Sequence, residues 1–311
     1  MEPTKKSRYF VRTKSSISPF PMKKNRILLF VLCLASVPCM AERHISIFAD
    51  HIGTIAEQRH ESFREAAQQV RALGYNGVDV SVTIDSTRLA ILDELGFAHA
   101  SAIAFIDFFS GEHPDQVEQA IAFMLQHDYD RVLLVPGYLP KDCTDEKYAT
   151  FCQRTEAFAQ AVRRQGKDAM VEDFDNPRSP CYNTPALDKL FASSPSLDHV
   201  FDTGNWIFAG EDVMTALKHF MPRIRHLHLK DRKAVGDGAS PAVGTGIVPM
   251  QDVIVTMLKS GYRGWFTVEH YGASDMLESA ATSFSTVQSA YEAYENTLRR
   301  KRFCLFKKKN D

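Results

Sequence analysis

Short apolar runs that read with a period of two alternate with longer stretches that read with a period near 3.6, from residue 44 almost to the C-terminus. The short runs predict strands at residues 44–49, 77–82, 100–106, 131–135, 169–172, 199–202, 224–229 and 265–269. Between them, the spacing predicts helices over 55–73, 87–95, 114–127, 145–165, 185–192, 212–220 and 248–259, with a closing helix from Asp275 onward. Gly74, Gly96, Gly166 and Gly261 stand where helices should stop, and Pro114 where one should start. Eight strand–helix units in a chain of this length predict a single-domain α/β fold, a closed (β/α)8 TIM barrel rather than an open doubly wound sheet. No glycine-rich dinucleotide fingerprint or Walker loop follows any strand.

The seventh strand carries the most informative pattern. In the run from Arg225 to Asp231, Leu227 and Leu229 share one face, while Ile224, His226 and His228 share the other. In a barrel, the leucines would pack on the outer helices and the histidines would point inward. His228 then sits at the C-terminal end of its strand, where barrel enzymes keep their chemistry, and Lys230 and Asp231 open the loop above it. The alternative is a surface strand with two solvated histidines.

The neighbouring strands favour the first reading. Glu172 closes 169–172, Asp202 closes 199–202 and Glu269 closes 265–269, each after an apolar residue that would face the helices. Two glutamates, one aspartate and one histidine thus end four consecutive strands. Three carboxylates so close would raise one another's pKa unless a cation sat among them. A mostly oxygen donor set with one imidazole suits a divalent metal such as Mn²⁺, Mg²⁺ or Co²⁺, with Zn²⁺ less well served.

Composition adds the compartment. Residues 1–41 read as a targeting segment: a basic stretch from Lys23 to Arg26, an apolar run over 27–37, and Cys39-Met40-Ala41 as a cleavable small-x-Ala site. The apolar run is too short for a stable membrane span, and Met22 is the expected start of translation. The chain is therefore expected to be exported, with residues 42–290 as the barrel domain and 291–311 as the end of the last helix and a basic tail. The whole chain has 37 basic and 38 acidic residues. Residues 1–41 hold eight basic and one acidic, which leaves 29 basic against 37 acidic, a net of about −8. So acidic a body is a poor nucleic-acid partner. Cys143, Cys152, Cys181 and Cys304 lack zinc-knuckle spacing; a Cys143–Cys152 bridge is compatible with an oxidising compartment. No pattern sets an oligomeric state.

The segments 201–205, 226–231, 243–246 and 261–269, with 73–79 at the second strand, resemble the sugar phosphate isomerase/epimerase family of xylose-isomerase-like TIM barrels. The resemblance runs from about residue 45 to 290. It implies a divalent metal, commonly Mn²⁺, held by Glu172, Asp202, His228 and Glu269, and a small sugar as substrate. In the epimerase branch it further implies that Glu172 and Glu269 pass the proton next to the substrate carbonyl from opposite faces. Two positions depart from that branch. Asn205 stands where a substrate-binding histidine is usual, and residues 173–178 are more acidic than its pattern.

The residues themselves allow the same chemistry, because a cation at a carbonyl and hydroxyl stabilises the enediolate left by deprotonation, with one carboxylate as base and another as acid. Lys230 is a candidate clamp for a substrate oxygen, or a partner for Asp231. Trp206 offers a sugar-stacking face, or core packing. Gly244 and Gly246 permit a tight turn. For an exported protein an unphosphorylated sugar, keto-sugar or oxidised glycoside is the expected substrate, and isomerisation, epimerisation and β-elimination all begin with the same proton. An endonuclease-IV-like hydrolase would need more histidines, one of them at Asn205. A non-catalytic sugar-binding barrel would not keep the four candidate ligands.

Overall fold

The computed structural model describes residues 43–307, with side chains as far as Arg300. The expected targeting segment, its cleavage site, Met22 and the side chains of the basic tail lie outside the described residues. Eight strands, β1 (Ile45–Phe48), β2 (Gly77–Ser81), β3 (Ala98–Phe105), β4 (Arg131–Val135), β5 (Asp168–Glu172), β6 (Asp198–Asp202), β7 (Ile224–Leu229) and β8 (Phe266–Val268), pair in sequence order, all parallel. β8 closes on β1 through Ile45–Phe266 and Ile47–Val268. The predicted (β/α)8 barrel is the fold.

The period-two pattern sorts side chains between two layers. Ile45, Val78, Val80, Ala102, Leu134, Val171, Phe201, Leu227, Leu229 and Val268 face the helices and form the large core. Their alternates point inward. Phe48, Ile103, Leu133, Met170 and Val200 make a small apolar plug in the barrel, and Ser46, Asp79, Ser101, His226 and Thr267 are buried beside it. Ile224 is the exception to the expected alternation, because it packs in the helix-facing core. Between β6 and β7 the register steps from His199–Ile224 to Val200–His226, so Arg225 is an extra residue. That bulge turns Ile224 outward while leaving His226 and His228 inward.

The helices are α1 (Ala49–Arg59), α2 (Phe63–Leu73), α3 (Ser86–Glu94), α4 (Pro114–Gln126), α5 (Asp145–Arg163), α6 (Thr184–Ser193), α7 (Thr203–Phe208), α8 (Val213–Phe220), α9 (Met250–Ser260) and α10 (Met276–Lys307). The single helix expected over 55–73 is two. His60 turns left-handed at φ 53° and ends α1, and Ser62 opens α2 with a reciprocal capping box to Glu65. An unexpected short helix, α7, begins directly after β6 because the Asp202 carboxylate accepts the N–H groups of Gly204 (2.7 Å) and Asn205 (2.8 Å). Gly74, at φ 113° and with the Phe284 ring packed on its α-carbon, ends α2 as its sequence position implied. Cys143 and Cys152 are free thiols, so the bridge compatible with their spacing is not formed; Cys143 is half-buried and Cys152 buried in α5. No helix among the described residues is long and apolar enough to cross a membrane.

Candidate metal centre

Parallel strands of a barrel end at one face, so the last inward side chains of β5, β6 and β7, and the residue just past β8, converge. Glu172, Asp202, His228 and Glu269 each offer one ligand atom, and these atoms all lie within 4.8 Å of one another. All four side chains are buried. His228 Nδ1 hydrogen-bonds Glu172 Oε1 at 2.6 Å and lies 3.3 Å from Glu269 Oε2. Lys230 reaches back over the strand end, with Nζ 2.7 Å from Glu269 Oε1 and 3.1 Å from Asp202 Oδ2.

The donor set fits a hard divalent cation. Asp202 Oδ1 is spent on the α7 cap, but Asp202 Oδ2 and Glu269 Oε2 are buried and accept no hydrogen bond, despite their neighbouring cations. Buried carboxylate oxygens without donors are costly, and a metal ion is the usual remedy. Three carboxylates and an imidazole would supply it with oxygen-rich coordination.

Burying these groups side by side shifts their protonation. Burial raises the Asp202 carboxyl to about 8, against the pull of Lys230. Burial raises Glu172 as well, with His228 opposing and Glu269 adding to the shift. Burial would also raise Glu269, but Lys230 and His228 beside it hold its carboxyl well below the usual range. Burial disfavours a charged His228, yet Glu172 and Asp79 keep its imidazole protonated well above the ordinary range.

The other expected site residues divide. Asn205 is buried next to the centre: its amide donates to the Asp173 carbonyl at 2.6 Å, and its oxygen faces Lys230 Nζ at 3.3 Å and Arg232 Nη2 at 3.1 Å. Lys230 is in the cluster, and Asp231 is not its partner. Asp231 instead accepts the N–H groups of Gly244, Gly246 and Val248 and ties down the loop after β7. Trp206 has no face toward the mouth. It is fully buried and stacks on Phe201 (5.6 Å) and Phe220 (5.5 Å), because α7 turns it toward the outer core. Core packing, not sugar stacking, is its role.

Two neighbours of the centre were not singled out from the sequence as site residues. Asp79, inward on β2, is buried at the foot of the cluster with Oδ2 2.8 Å from His226 Nε2 and 3.4 Å from His228 Nε2. Its alternation with Val78 and Val80 marks it as inward, but nothing local says which strands it meets. His51, in the first turn of α1, is buried among Phe48 (5.4 Å), His270 (5.6 Å) and Tyr271 (5.8 Å). The backbone N–H of His270 donates to its Nε2 at 3.0 Å, so its ring proton belongs on Nδ1. Burial, then His270, brings its pKa down to about 3.

A family model described as the xylose isomerase-like TIM barrel matches residues 67–289. The inosose dehydratase of Bacillus thuringiensis (strain Al Hakam) is 34% identical over a region covering 28% of this chain and 35% of that protein. The chain thus spans about a third of the length of the curated relatives it matches. An L-ribulose 3-epimerase structure superposes with a TM-score of 0.66 at 13% identity, covering 83% of this chain and 97% of that one. The probable 3-DHS dehydratase of Bacillus anthracis does so with a TM-score of 0.65 at 14% identity, covering 79% and 98%. At these identities the structural likeness is one of fold.

Proposed function

The chain belongs to the xylose isomerase-like TIM barrel family, and from that premise we propose that it is an exported, divalent-metal-dependent sugar isomerase or epimerase. Its substrate on this reading is an unphosphorylated sugar or keto-sugar, and its first step removes the proton next to a carbonyl. The observation that carries the proposal is the convergence of Glu172, Asp202, His228 and Glu269 within 4.8 Å, with two carboxylate oxygens lacking donors. A metal bound there, Mn²⁺ being the first candidate, would polarise the carbonyl and stabilise the negative charge that develops on deprotonation. Glu172 and Glu269 reach the centre from β5 and β8 with His228 between them, so one can take the proton while the other returns it from another direction. Lys230 lies in the same cluster and would offer its ammonium to a substrate oxygen, with Asn205 beside it accepting from Lys230 Nζ through its amide oxygen.

β-Elimination on a keto-sugar is the second reading. The sequence likeness to inosose dehydratases favours it, as does the departure at Asn205 from the epimerase pattern. Both outcomes share the first proton transfer and differ in whether a β-hydroxyl leaves before the proton returns.

Metal analysis of the purified mature protein, followed by deuterium wash-in next to the carbonyl across neutral aldoses, ketoses, inososes and keto-glycosides, tests the proposal. One equivalent of metal and exchange with at least one sugar class support it. A metal-loaded protein that exchanges with none overturns the mechanism. Mass loss of one water with exchange selects the dehydratase reading.

A further inference from the structure

We infer that Asp79 is a positioning residue for the metal centre, acting through His228; the inference rests on the metal-centre reading above. His228 presents Nδ1 to the carboxylates of Glu172 and Glu269, so Nδ1 is the nitrogen available to an ion among them. Its other nitrogen, Nε2, points down into the barrel, where Asp79 Oδ2 lies 3.4 Å away. A histidine that ligates through one nitrogen needs an acceptor for the proton on the other, and a carboxylate there fixes the tautomer, aims the ring and strengthens the donor.

The placement of Asp79 is costly unless it serves such a purpose. Its side chain is fully buried inside the barrel, among the inward residues of β1, β7 and β8. Thr267 donates to Oδ1 at 2.8 Å, and His226 Nε2 lies 2.8 Å from Oδ2, which holds the carboxylate still. The Phe48 ring meets the His228 imidazole at 4.8 Å and 65°, and His226 stands perpendicular to it at 5.3 Å, so the ring is packed between two others. Asp79, His226 and His228 also lie close enough to suggest a second ion. The contacts argue otherwise. Asp79 Oδ1 already receives the Thr267 proton, His226 Nε2 is shared between Asp79 Oδ2 (2.8 Å) and Thr267 Oγ1 (2.7 Å), and His228 would have to serve two ions through its two nitrogens at once. The three are a hydrogen-bonded support beneath one metal.

The test is Mn²⁺ binding by calorimetry to the full mature chain at one pH, for wild type, Asp79→Asn and Asp79→Ala, with thermal unfolding in EDTA to show that each variant folds. Removing an outer-shell carboxylate is expected to weaken Mn²⁺ binding by roughly 10–100-fold. A folded Asp79→Asn that binds Mn²⁺ within about threefold of wild type, well inside that range, overturns the inference. A wild type that binds no Mn²⁺ overturns it together with the metal-centre reading, whereas equal binding by wild type and Asp79→Asn removes only the role of Asp79. Should neither variant fold, histidine ¹⁵N spectra of the Mg²⁺-loaded wild type decide: a protonated Nε2 on His228 supports the inference, and an Nε2-ligated His228 overturns it.

Discussion

Lys230 Nζ lies 2.7 Å from Glu269 Oε1, which places a lysine cation among the carboxylates that could hold a metal. A metal bound there would share ligands with the lysine, and the two cations would partly substitute for each other. Lys230→Met leaves buried carboxylates unpaired in the metal-free protein and should lower its stability by about 3–5 kcal/mol. Mn²⁺ should then raise the Tm of the variant more than that of wild type, because the ion restores more of what was lost. Thermal unfolding with EDTA and with Mn²⁺ measures both; an equal rise in the two proteins would show that Lys230 and the ion do not share the site.

Asp202 does two jobs with one carboxylate, capping α7 through Oδ1 and presenting Oδ2 to the centre. Asp202→Asn keeps an oxygen for the cap and removes the charge from the centre. It should fold in EDTA with little loss, yet bind Mn²⁺ more weakly by at least the 10–100-fold that losing an outer-shell partner costs. Calorimetric titration checks this, and a variant that binds as tightly as wild type removes Asp202 from the ligand set.

The strand ends were legible because period-two alternation says which side chain points inward and chain order says where a parallel barrel gathers them. Glu172, Asp202, His228 and Glu269 needed nothing further to be brought together. Asp79 shows the same alternation, but its partners are 147 or more residues away in sequence, and only barrel closure through β1 and β8 brings them to it. Trp206 stayed open between sugar stacking and core packing for the opposite reason. A loop after β6 would have left it free to face the mouth, whereas the Asp202 cap winds it into α7 and turns it outward. The break at residues 60–62 was encoded by the Ser62–Glu65 box, a signal overridden by the apolar periodicity on either side.

His51 is buried neutral, with a pKa brought down to about 3, so its folded-state value lies below its unfolded one near 6.5. Such a group contributes stability that is fully present above pH 6.5 and is lost as the pH falls toward 3. Unfolding takes up one proton at this site, worth about 1.4 kcal/mol per pH unit within that window. Replacing the imidazole by an amide removes the uptake. Urea unfolding from pH 6 to 4 should show a slope shallower by that amount in His51→Gln; parallel curves for the two proteins would mean that the ring is already charged in the folded state.

Trp206→Ala should separate core from site. Its indole stacks between Phe201 and Phe220 and is fully buried, so truncation is expected to cost about 3–5 kcal/mol. Mn²⁺ affinity of the folded fraction should stay at the wild-type value. A variant of undiminished Tm with impaired sugar exchange would restore Trp206 to the substrate.

The second half of the loop between β7 and α9 is gathered on a single carboxylate. Asp231 accepts backbone N–H groups from Gly244 (2.9 Å), Gly246 (2.8 Å) and Val248 (3.1 Å), besides that of Arg232 (2.9 Å). Gly246 runs so close beneath it that a β-carbon would collide with the Arg232 carbonyl and the Asp231 side chain. Arg232, itself buried, holds the other half of the loop through the carbonyls of Asp237 (3.3 Å) and Gly238 (2.8 Å) and crosses to Asp175 in the loop after β5. Asp231→Ala leaves four donors without their acceptor, each charge-assisted bond being worth about 1.5–3 kcal/mol locally. The loss should appear first as opening of residues 232–248, while the barrel beneath stays closed. Hydrogen exchange resolved by peptide is the measurement: faster exchange confined to 232–248 is expected in both Asp231→Ala and Gly246→Ala, and unchanged protection there would mean that the loop is held by something other than this carboxylate.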